Sequence, residues 1–139
     1  MSQQPTQSSL HGKRALVTGA SGGIGCEIAR ALDRCGVSVC LTGRKTNALE
    51  LLAAELDNPA MTASVDLQDE NALLALAARV RDELGEIDIL VNCAAFVGTS
   101  DLEGWSVTFP DQSAGAWAQS LDIGLTAPFL LIQACAEAL

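Results

Sequence analysis

Ala15-Leu16-Val17-Thr18-Gly19-Ala20-Ser21-Gly22-Gly23-Ile24-Gly25 is the stretch that decides how this chain reads. Ala15 to Val17 is a short apolar run with strand character. Gly19, Gly22, Gly23 and Gly25 follow at once. Beyond them Ile24, Ile28, Ala31, Leu32 and Cys35 recur at spacings of three and four, the stripe of an amphipathic helix, and Gly36 marks its stop. A glycine-rich turn between a strand and a helix has a physical use. Glycines permit positive φ and let a ligand approach the backbone closely. The helix start supplies unpaired N–H groups and a partial positive charge, which suit a pyrophosphate.

The same alternation continues outward. Val37 to Leu41 is a second apolar run, and Leu49, Leu52, Ala53 and Leu56 make a second helical stripe ended by Asn58-Pro59. Met61 to Val65 reads as a third strand. Leu73, Leu74, Ala77, Val80, Arg81 and Leu84 outline a third helix closed by Gly85, and Ile87 to Val91 reads as a fourth strand. Strand runs that are apolar on both faces belong to a parallel sheet covered by helices on both sides. The predicted fold is therefore α/β: a Rossmann-like doubly wound parallel sheet of about four strands, followed by one long helix. Cys93 to Gly115, with Gly98, Gly104 and Pro110, reads as a long loop, in which Trp105 and Phe109 are expected to anchor onto the body. A helix is expected to resume near Trp117 and run to the end with a kink at Pro128. Residues 1–11 are read as a disordered tail and 12–139 as one partial nucleotide-binding domain.

Composition narrows the function classes. The net charge is −9, and all eight Lys and Arg lie at or before Arg81. An acidic chain without a basic patch argues against nucleic acid and anionic membrane surfaces. Five cysteines at irregular spacing, without a Cys-x-x-Cys pair, fit reduced thiols used as buried packing residues in a cytoplasmic protein. The single His11 stands far from the scattered acids, so no metal site is expected.

Thr18-Gly-x-x-x-Gly23-x-Gly25 resembles the signature of the short-chain dehydrogenase/reductase family. Val65-Asp66-Leu67 resembles that family's acidic turn after strand three, and Asn92-Cys93-Ala94-Ala95 its Asn-Asn-Ala-Gly segment. Trp117 to Phe129 resembles the start of the long helix that lines the active site and, in many members, the dimer interface. The likeness runs from Lys13 to Leu139. It implies cofactor contacts from Gly19, Ser21, Gly22, Gly23, Ile24, Gly25, Asp66, Leu67, Asn92 and Ala94, and oligomerisation through the C-terminal helix.

The end of the second strand bears on which nucleotide. NAD sites place an acid there to grip the ribose 2′-hydroxyl. Here Gly43 takes that place and Arg44-Lys45 follow. A guanidinium suits a 2′-phosphate and Lys45 adds a point charge. The expected cofactor is NADP(H) rather than NAD.

The family's chemistry uses a Tyr, a Lys four residues after it, a Ser, and an Asn on the long helix. This sequence has no Tyr and no Lys after Lys45, so no catalytic residue is assigned. The resemblance would place the Asn at Gly124, and it puts Cys93 for Asn and Ala95 for Gly, whose extra methyl could crowd the nicotinamide side. Two readings stand: the NADP(H)-binding portion of an oxidoreductase, inactive alone, or a non-catalytic NADP(H)-binding or partner-pairing module. An isolated chain of this kind is expected to be marginally stable, with strand four as an open edge.

Overall fold

The computed structural model describes residues 10–97, 101–136 and 139. The polar stretch Met1–Ser9 and Gly98 of the long loop lie outside the described residues. Leu10 and His11, grouped with the tail in the sequence reading, form a turn closed by the Lys13 N–H on the Leu10 carbonyl at 3.0 Å and tied to Gly36 by the Gly12 N–H on its carbonyl at 2.9 Å. Four parallel strands follow, β1 (Arg14–Thr18), β2 (Ser38–Gly43), β3 (Ala60–Ser64) and β4 (Ile89–Asn92), in the spatial order β3-β2-β1-β4. The chain steps outward from β1 to β3, then crosses back to place β4 on the other side of β1. The carboxyl ends between β1 and β4 are therefore a topological switch point, where open α/β sheets bind ligands. Among the described strands β3 and β4 are the two edges, β4 as expected.

Alternation along the strands builds two cores. Ala15, Val17, Val39 and Leu41 point to one face, where α1 (Gly23–Arg34) and α2 (Thr46–Glu55) bring Ala29, Leu49 and Leu52. Leu16, Cys40 and Met61 belong to the other. There α3 (Glu70–Leu84) contributes Leu73, Leu76 and Val80, and α5 (Ala127–Cys135) contributes Ala127, Leu131 and Cys135.

Several expectations need correction. The buried face of α1 is Gly25, Ala29 and Asp33, while Ile24 is 73% exposed. The helix lies close to the turn, so small side chains fill the interface and the bulky Ile24 is left outside. Asp33 is tolerated in the interior because Asn58 and Asp57 satisfy it: their N–H groups reach its carboxylate at 2.9 and 3.2 Å. In α3, Leu76 takes the buried place expected of Leu74, which is half-exposed. Only Cys40 and Cys135 of the five cysteines are fully buried. Burial pushes the Cys40 thiol up to about 12. Phe109 does not anchor its loop, being 87% exposed on a short 3-10 turn, Phe109–Asp111.

The helix after the loop begins earlier than expected. Ser113 caps α4 (Ala114–Leu121) by accepting the Ala116 N–H at 3.0 Å. Where a kink is expected at Pro128, the helix changes its winding just ahead of it. A π-helical segment, Asp122–Thr126, precedes it, with the Ala127 N–H on the Asp122 carbonyl. Proline cannot donate to the carbonyl four residues back and its ring crowds it. The wider turn ahead of Pro128 accommodates both effects.

Candidate functional site

The site grows from the end of β1. Thr18 is 2% exposed. Its hydroxyl donates to the Val91 carbonyl at 3.4 Å and accepts the N–H groups of Cys93 and Ala94 at 3.0 and 3.2 Å. One side chain thus ties the glycine turn to the segment leaving β4. Thr18 also stands level with Thr42 and Asn92 in the sheet register, so β1 and β4 end on one line and β2 runs one residue further.

Gly19 then adopts φ +67°. A Cβ there would come within 2.9 Å of the Ala94 backbone, so both conformation and space demand glycine. A Cβ on Gly25 would run into the Gly19 carbonyl. Gly23 is different: a Cβ there would meet nothing within 4 Å, because Gly23 borders open space. Ser21 lies against β2, with its Oγ 2.8 Å from where a Gly43 Cβ would stand. The Ala20 N–H donates to the Thr42 carbonyl at 3.0 Å and fixes the turn to β2 as well.

The first backbone bond at the start of α1 runs from the Cys26 N–H to the Gly22 carbonyl at 3.0 Å, and Gly22 carries no capping side chain. The N–H groups of Gly23, Ile24 and Gly25 therefore lack intrahelical acceptors. Together with the helix dipole they form a seat for an anion.

Arg44 and Lys45 follow β2 directly, both exposed. Among the described residues neither enters an ion pair, and nor do Arg34 and Arg81, whereas Lys13, Arg14, Arg30 and Arg79 all do. The Arg44 guanidinium lies over the Phe96 ring, 6.0 Å from its centroid. Phe96 had no role in the sequence reading, since nothing local to either residue links them.

The remaining predicted residues fall into two groups. Asp66 is exposed and its carboxylate accepts the Gln68 N–H at 3.0 Å, shaping the turn after β3. Leu67 is buried among the core residues facing α3, so its side chain is structural. Asn92 is exposed at the end of β4, and Ala94 is half-buried where the β4 exit passes Gly19. The turn, Arg44 and the β4 exit are thus one neighbourhood, joined through Thr18, Ser21 and Phe96. No group of three or more His, Cys, Asp or Glu among the described residues is placed to hold a metal ion.

Comparison with known proteins agrees with this layout. A family model described as short chain dehydrogenase matches residues 13–139. Nodulation protein G of Rhizobium sp. (strain N33) is 41% identical over 122 residues, covering 88% of this chain and 47% of the relative. A metagenomic short-chain oxidoreductase solved in complex with NADP superposes with a TM-score of 0.82 at 34% identity, over 94% of this chain and 58% of that one. NAD+-bound xylitol dehydrogenase gives 0.83 at 28% identity, over 94% and 49%. The chain spans about half the length of the curated relatives it matches.

Proposed function

The chain belongs to the short-chain dehydrogenase family, and from that premise we propose that its residues hold NADP(H) across the carboxyl edge of the sheet for an oxidoreductase reaction on a carbonyl or alcohol. The observation that carries this reading is the pair of exposed cations without ion pairs, Arg44 and Lys45, set beside an uncapped helix start. The residues fit the cofactor. Gly23 borders open space where a side chain would stand, and Gly43 replaces the acid that would repel a 2′-phosphate.

Gly19, Gly22 and Gly25 bring the backbone to the pyrophosphate, and the N–H groups of Gly23, Ile24 and Gly25 donate to it. Ser21 borders the same anion. The Arg44 fork takes the 2′-phosphate bidentately and Lys45 adds charge. Asp66 and Leu67 border the adenine end, while Asn92 and Ala94 flank the turn from β4. When bound, the nicotinamide supplies the hydride donor or acceptor. These 139 residues contain no Tyr, so we assign them cofactor binding and no proton-transfer step. Gly124, standing where the family resemblance would place an Asn, favours a second reading, an NADP(H)-binding module that does not itself turn over.

The test is a fluorescence titration of the chain with NADPH and with NADH. Tighter binding of NADPH, with Arg44→Ala bringing the two affinities together, is the expected result. Equal affinities in the wild type would overturn the NADP(H) preference. The exposed row Trp117, Leu121, Leu125, Phe129 and Ile132 on the last helix supports self-association there. Sedimentation velocity at several concentrations checks it, a monomer throughout being the contrary result.

A further inference from the structure

We infer that Phe96 is a positioning residue that sets nucleotide specificity by holding the Arg44 guanidinium in place for the 2′-phosphate. The inference rests on the NADP(H) reading above and adds a residue that neither the glycine turn nor the end of β2 contains.

Arg44 begins as a poor anchor. It is exposed, follows the last residue of β2, and has no carboxylate partner among the described residues. A free arginine side chain samples many rotamers, and ordering it on a ligand costs affinity. Two contacts reduce that freedom. The Ser64 hydroxyl donates to the Arg44 carbonyl at 3.4 Å, which pins the backbone to β3. The Phe96 ring lies under the guanidinium at 6.0 Å, within cation–π range. Phe96 is itself held, since it packs against the core cluster that contains Leu16, Ala63 and Leu67. The ring is therefore a fixed platform rather than a second mobile group.

The geometry leaves the useful part of Arg44 free. The guanidinium makes no hydrogen bond or ion pair among the described residues, and its contact with Phe96 is through the ring. The N–H donors lie in its plane and point outward from its edge, where a phosphate accepts two of them. A carboxylate partner would have consumed those same donors. Phe96 thus orients the fork without competing for it. An NADH ribose has no 2′-phosphate to use the fork, so the contribution of Phe96 is confined to NADPH.

The experiment measures NADPH and NADH dissociation constants for the 139-residue chain and for Phe96→Leu, Phe96→Tyr, Arg44→Ala and the Arg44→Ala/Phe96→Leu double variant. Phe96→Leu keeps apolar packing and removes the π face. It should weaken NADPH by about two- to fivefold, leave NADH unchanged, and add no further loss in the Arg44→Ala background. Phe96→Tyr should restore NADPH binding. Unchanged NADH affinity also reports that Phe96→Leu is folded. Equal weakening of both nucleotides, or the same loss with Arg44 already removed, overturns the inference while leaving the NADP(H) reading intact. An NADPH/NADH ratio that Arg44→Ala does not move overturns both.

Discussion

The two edges of the sheet use charge in opposite ways. At the amino edge two carboxylates are closed upon neighbouring donors, while Arg34 and Arg81 enter no ion pair among the described residues. Asp88 receives Lys13 Nζ at 2.7 Å and the Arg14 N–H at 2.9 Å, and Asp33 is enclosed by Asn58 and Asp57. At the carboxyl edge Thr18 and Thr42 are likewise bonded within the fold, but a set of donors is left open: three N–H groups at the start of α1, then Arg44 and Lys45. Pairing a charge within the fold spends its donors on structure, and leaving it unpaired keeps them for a ligand. The proposal that the carboxyl edge is the one that binds rests on those open donors more than on any single residue.

The sharpest way to break this contrast is to close the open edge. Gly25→Ala drives a Cβ into the Gly19 carbonyl. It should cost about 1–3 kcal/mol in urea unfolding and reduce NADPH affinity tenfold or more. Normal binding by this variant would mean the turn does not carry the pyrophosphate. Opening the closed edge gives the converse. Asp33→Ala strands the N–H groups of Asp57 and Asn58 and should cost about 1–3 kcal/mol, with the NADPH dissociation constant of the folded protein unchanged. A matching fall in affinity would erase the division between edges.

Acid sharpens the same division. The hydrogen bond from Lys13, then that from the Arg14 N–H, holds the Asp88 carboxyl below its usual range. For Asp33, burial pushes upward, but the bonds from Asn58 and Asp57 outweigh it and the net shift is also downward. A carboxyl depressed in the fold stabilises it above the unfolded value, about 4. That contribution is lost as pH falls through the folded value. Unfolding free energy should therefore fall steadily below about pH 4, and Asp88→Asn should flatten the decline. An unaltered acid profile in Asp88→Asn would remove this pair from the account of stability.

Smaller effects separate binding from folding at the open edge itself. Gly23→Ala meets no atom within 4 Å, so stability should shift by no more than about 1 kcal/mol. NADPH binding should nevertheless weaken, since the methyl enters the space the cofactor needs. Lys45→Ala should cost about twofold in NADPH affinity at low salt and nothing at high salt. A salt-independent loss would point to a contact other than a screened charge.

Much of this was legible in the sequence because the signals are local. The glycine turn, the alternation of strands and helices and Gly43-Arg44-Lys45 each declare themselves within a few residues. What escaped the reading depends on distance or on volume. Apolar periodicity placed Ile24 inside α1, yet close approach of the helix to the turn favours the small Gly25 and Ala29. The Arg44–Phe96 contact joins residues on different strands' exits, and only the sheet brings them together. Pro128 announced a disturbance in the last helix but not its form.

That form has a consequence for what the last helix can tolerate. A π turn holds one residue more than the α-helix around it. Asp122–Thr126 is thus a phase element: it sets the rotation at which Ala127, Leu131 and Cys135 arrive at the sheet. Deleting one residue there would restore a regular pitch with Ala127 still facing the Asp122 carbonyl and the phase kept, whereas forcing the same residues into a regular pitch would swing everything after them by about 100°. Leu131 would then turn off the core, though no buried side chain had been changed. For this segment the quantity to be preserved is the phase of the helix, which residue count and pitch set together.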